Sequence, residues 1–194
     1  MRLRHAAVAG ALSASGCLMA ACGLIHHSPR IVDPSGGHLA SEGRPSIHRG
    51  DVLSIGMEST LCLDRAGTVQ LKAVEPLRPV GVRVIGFGLR PNQNWKPTQG
   101  TRGEFLGMER APLRHFGFTG RTVGAVCDPK TAAGYELAVR VEKTGTGPAQ
   151  AAGWKVNYVS DGHAETVTVP LGIYLCPDHE ITPRRCPEPD MSQQ

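Results

Sequence analysis

The chain is poor in aromatic residues, with two Trp, three Tyr and four Phe among 194 positions. Its core must therefore be built mostly from Val, Leu, Ile and Ala. Long apolar runs are also missing. The apolar stretch near the start, residues 6–21, falls short of the ~20 residues that span a bilayer comfortably. Clustered positive charge is absent as well. The formal charge is +4, the basic residues are scattered, and Arg184-Arg185 is the longest basic run. A nucleic-acid binder needs a basic face with interleaved aromatics, so that class of partner is excluded. No window of eleven residues carries a helical apolar face. G-x-S-x-G, a P-loop and a dinucleotide fingerprint are all missing; the Gly-rich stretches "GFGLRPNQN" and "TGTGPA" do not open a helix. The residues Ser160-Asp161-Gly162-His163 are hydrolase types, but their order is that of a tight turn. These absences predict a non-enzymatic protein without a cofactor.

What is present begins with an address. Arg2 and Arg4 precede the uncharged residues 6–21, which end in small side chains: the layout of a secretory signal. Leu18-Met19-Ala20-Ala21-Cys22 then resembles the lipobox of bacterial lipoprotein precursors, with Met19 where Leu is usual. The resemblance covers only this segment. It implies cleavage before Cys22, a diacylglyceryl thioether on its sulfur, and residence in the cell envelope on the outer face of the cytoplasmic membrane. Two acyl chains give stable attachment where one gives only reversible binding. Ala14-Ser15-Gly16-Cys17 is a second possible box with a shorter apolar core before it. Loss of Arg2 and Arg4 leaves a charge of +2.

The chain divides into a signal (1–21), a flexible tether (22–50), a folded body (51–178) and a Pro-rich tail (179–194). The tether holds Pro29, Pro34, Pro45 and scattered Gly and Ser without a sustained period. The body shows short alternating runs. "TVQLKAV" places Val69, Leu71 and Ala73 on one face, and Val80, Val82 and Val84 share another until Gly86 interrupts, as at a bulge. "YELAVRVE" puts Tyr135, Leu137, Val139 and Val141 inward. "WKVNYVSDGHAETVTVP" reads as a hairpin about Asp161-Gly162, a type I′ pair, and "LGIYLC" closes the series. About six to eight such strands predict an all-β, immunoglobulin-like β-sandwich, with a barrel as the alternative. The polar stretch 91–102 reads as a long loop in which Trp95 is expected to pack back as a lid over the core, with an exposed contact as the alternative. The body resembles small β-sandwich modules of exported lipoproteins in high-GC bacteria, on the Cys62 strand, the Cys127 to "YELAV" region and "VPLGIYLC". No activity follows from that resemblance.

Of the six cysteines, Cys17 leaves with the signal and Cys22 takes the lipid. Cys62, Cys127, Cys176 and Cys186 remain as disulfide candidates, and an even count in an exported chain reads as two bridges with three possible pairings. An alternative comes from Cys176-Pro177-Asp178-His179 with Met191, which resembles the Cys–His–Met loop of blue-copper proteins, with His115 or His163 as a further ligand. The leading expectation is a membrane-tethered binding or interaction module with a lipid anchor and an envelope protein as partner. The first contact candidates are the loop 91–102 and the stretch 114–120; the alternative is a copper or redox protein using Cys176 and His179.

Overall fold

The computed structural model describes residues 27–34, 47–92, 108–128, 130 and 133–176. The signal, Cys17, Cys22, Trp95, His179, Cys186 and the tail lie outside the described residues. The elements are β1 (Ile31–Val32), β2 (Val52–Leu63), β3 (Val69–Leu77), β4 (Val82–Pro91), β5 (Met108–Glu109), a 3-10 turn (Leu113–Phe116), β6 (Thr122–Val123), β7 (Tyr135–Lys143), β8 (Ala149–Ala151), β9 (Gly153–Ser160), β10 (His163–Val169) and β11 (Ile173–Leu175). One sheet runs β1-β2-β7-β4 with β5 added on β2; the other runs β10-β9-β3-β6; β8 and β11 pair separately. This is the all-β sandwich that the alternating runs imply.

Leu53, Ile55, Met57 and Leu61 of β2 and Leu137, Val139 and Val141 of β7 share a core with Val69, Leu71 and Val74 of β3 and Trp154, Val156 and Tyr158 of β9. The hairpin β9–β10 forms as read: His163 pairs with Ser160 and Val169 with Trp154. Asp161 and Gly162 both take positive φ, 47° and 83°, as a type I′ turn requires. The Gly86 bulge is also present, as a register shift between Val84 and Gly86 that leaves Ile85 exposed.

Three readings are corrected. A bulge between Leu71 and Ala73 shifts the phase of β3, so Val74 is buried and Ala73 is only half-buried. Val80 precedes β4, bridges to Gln150 and is 53% exposed. The segment 22–50 is not wholly a tether: Pro29, Ile31 and Ile47 are buried and β1 pairs with the end of β2, so the body begins before residue 51. β2 itself hides from a periodicity scan, because a register shift between Met57 and Thr60 and buried Ser54 and Ser59 break its alternation. Lys143 is buried to 1% exposure, and its Nζ donates to the Gly145 carbonyl at 3.1 Å.

The registers define two ends. At one, the end of β2, the start of β3, the end of β4 and the start of β7 meet the β9–β10 turn, through the pairs Leu61–Tyr135, Pro91–Tyr135 and Val69–Ser160. At the other, Val52 faces Glu142, Val82 faces Lys143 and Leu77 faces Gly153. β1 runs antiparallel to β2, so the chain enters the sandwich at the first end.

Candidate functional site

Residues 29–32 form a strap across the first end, clasped by side chains far away in sequence. The Ser160 hydroxyl donates to the Pro29 carbonyl at 2.6 Å. The Ile31 amide donates to the Tyr158 phenol oxygen at 3.3 Å. The Arg30 amide donates to Asp64 Oδ1 at 2.8 Å, and the Asp64 amide returns a bond to the Arg30 carbonyl at 3.0 Å. Arg65 reaches the His27 carbonyl at 3.4 Å. Gly67 is required by proximity: a Cβ there would lie 2.6 Å from Pro29 Cγ.

The electrostatics favour the clasp. The Arg65 guanidinium, and after it the Arg30 amide, hold the Asp64 carboxyl below its ordinary 3.8. A depressed carboxyl stabilises the fold above its unfolded pKa, and the contribution fades as pH falls through the lowered value. The acidic clasp is therefore complete at neutral pH. Burial pushes the Tyr158 phenol above its ordinary 10, so it stays protonated and neutral beside Ile31. Beside the strap, Cys62 is bonded to Cys127 across a separation of 65 residues, with 5.0 Å between the Cα atoms. Leu63 also exchanges backbone bonds with Ala125 and Cys127 at 2.8 and 2.9 Å, which fastens residues 125–127 to the end of β2.

The Ser160→Ala substitution leaves the Pro29 carbonyl without its buried donor. The expected cost is about 1–3 kcal/mol. Amide exchange at Arg30 and Ile31 should rise ahead of exchange in β7. Unchanged protection at both amides in a folded variant would show that Ser160 does not hold the strap.

A second cluster lies on the outer face of the first sheet. Leu113 and Phe118 pack on Ala138, with Phe116 against them. Arg90 bonds to Glu136 Oε2 at 2.7 Å and to the Phe116 carbonyl at 3.0 Å, with its guanidinium carbon 4.5 Å from the Phe118 ring centre. Arg121 stacks 4.1 Å over Phe87. A Cβ on Gly88 would sit 2.5 Å from the Phe118 carbonyl oxygen, so only glycine admits this crossing. The stretch 114–120, read as a contact loop, thus packs through Phe118 and leaves Arg114, His115 and Thr119 exposed.

The other sequence candidates separate. Of loop 91–102, only Pro91 and Asn92 are described, and Pro91 sits at the strap end. Ser160 is fully buried while Asp161 and His163 are exposed, so these residues make a clasp and a turn. Cys176 is disulfide-bonded to a partner outside the described residues. A sulfur so bonded is not a thiolate, and the copper reading on Cys176 and His179 loses its principal donor. The strap was missed in the sequence because two paired residues are too short to show a period. Pro29 and Ile31 gave no local sign of partners more than 120 positions away.

No family model matches the chain, and no curated protein matches it. Among solved structures it is similar to the GAE domain of GGA2p from Saccharomyces cerevisiae, at 12% identity and a TM-score of 0.27, over 73% of this chain and 93% of that one. A likeness at that level carries no functional argument.

Proposed function

We propose that the chain is an extracytoplasmic lipoprotein whose sandwich binds a partner in the cell envelope rather than catalysing a reaction. The reading rests on the signal and lipobox ending at Cys22, and the observation that carries it is the Cys62–Cys127 disulfide. Stable disulfides form in oxidising compartments and are rare in the cytosol. The bonded state of Cys176 points the same way. With Cys17 removed and Cys22 acylated, Cys186 is the one cysteine left to pair with it, so the bridges use every remaining thiol.

Metabolic labelling with a radioactive fatty acid in a bacterial host tests the anchor. The wild-type chain takes up label and partitions into detergent. Cys22→Ser retains the uncleaved N-terminus and takes up none. Label that persists in Cys22→Ser would reject Cys22 as the lipid site and move it to Cys17. An unlabelled wild-type chain with its leader intact would reject the lipoprotein altogether.

A further inference from the structure

We propose that the strap fixes the orientation of the sandwich on the membrane. The end bearing Pro29 and the turns 64–68 and 161–162 faces the lipid surface. The loops 78–81 and 144–148 at the opposite end face away and are open to a partner. This rests on acylation of Cys22, as proposed above. It replaces the long tether of residues 22–50 with a much shorter leash.

Pro29 is the first buried residue among those described, and it is locked to Ser160 at 2.6 Å. Seven residue steps separate it from Cys22. A chain of that length extends at most about 25 Å, and as a flexible coil its average reach is roughly 15 Å. The body is longer than that. β2, which runs from Val52 at the far end to Leu63 beside the strap, covers eleven residue steps, about 36 Å at the usual rise of a strand. To bring the opposite end to the bilayer, the leash would have to run back along the whole body. It is too short to do so even when fully extended, so the sandwich can lean but not invert.

The two ends differ in a way that suits this arrangement. At the strap end, the exposed Arg30 and Arg65 stand with Asp64 and Asp161, a balanced set with no polybasic attraction to lipid. The lipid surface is met there because the anchor holds it close. At the opposite end, Val80 is 53% exposed beside exposed Arg78 and Pro79. Val80 bridges to Gln150 and Gly81 packs on Ala149, so the two loops form one rigid rim. β11 pairs with β8 and leads to Cys176 beside this rim, so the last described residue lies on the outward side.

Energy transfer to a headgroup-linked acceptor in phosphatidylcholine vesicles tests the orientation. A donor dye is placed through an azido amino acid at Ala66, in the strap-end turn, or at Gly147. Both positions are exposed, and a side chain at Gly147 meets nothing within 4 Å. For the full chain processed in cells and reconstituted, transfer from position 66 should exceed that from 147 several-fold. Inserting about 20 Gly and Ser residues between Cys22 and Pro29 lengthens the leash beyond the body and should bring the two signals together. Equal transfer from both positions with the native leash, or stronger transfer from 147, overturns the orientation. Protein that fails to float with vesicles rejects the lipoprotein reading instead. The leash is then measured on full chain carrying Cys17→Ser, coupled through the Cys22 thiol to a maleimide-bearing lipid, with the same two outcomes.

Discussion

Replacing Cys62 and Cys127 together by alanine should lower the melting temperature by about 10–20 °C. The bond closes a loop of 65 residues. The chain-entropy account assigns about 4 kcal/mol to a loop of that size, through the unfolded chain that the bond constrains. For a body of this length, each kcal/mol moves the melting temperature by roughly 3–5 °C. The location adds to the effect. Cys62 is 1% exposed and pairs with Val32 of the strap, while Cys127 ties residues 125–127 to the other side of β2. Alanine is the better test than serine, because it leaves no hydroxyl in that buried position. Calorimetry on the double variant, with the other cysteines untouched, isolates this bond from any other that a reductant would open. A fall of less than about 3 °C would mean that backbone pairing at Leu63 holds this end without it.

The strap and the disulfide meet at one end of the sandwich, and under the proposed acylation of Cys22 they set how the body would sit against its anchor. Were the lipid attached through a long coil, the body would be free to present any face, and no end would be distinguished. Because the chain enters through Pro29 and is gripped by Ser160, Tyr158 and Asp64, the gripped residues fall close behind Cys22 in the sequence. The strap adds order where the sequence shows no sustained period. The bonds to Ser160 and Tyr158 are buried, and such bonds are worth most where water is excluded.

Legibility follows the range of the interactions. The hairpin β9–β10 is readable from sixteen residues because its turn, its alternation and its partner are all local. The inward face of β7 is readable for the same reason. Gly86 announced its bulge, since glycine in an alternating run has few other uses, but Lys72 announced nothing and the phase of β3 slipped unseen. The cysteine count predicted bridges and left the pairing open, because pairing depends on which strand ends meet. The strap and the buried Lys143 are set by contacts that no local pattern records.

Trp154 is where scarcity of aromatics becomes an energetic statement. With nine aromatic residues in the chain, this indole is the bulkiest fully buried side chain described, at the start of β9 between Pro76 and Val169. Trp154→Ala should cost about 3–5 kcal/mol, through lost burial and the cavity left between two sheets that cannot collapse far. Trp154→Phe should cost less than half as much. The indole N–H has no hydrogen-bond partner among the described residues, so phenylalanine removes an unpaired buried donor along with the lost volume, and the first partly offsets the second. Denaturant midpoints of the two variants at constant slope give both numbers. A loss under about 1.5 kcal/mol for alanine would place the indole outside the core. Equal losses for the two would mean that its N–H is hydrogen-bonded after all, and that the start of β9 is held by a polar contact rather than by packing.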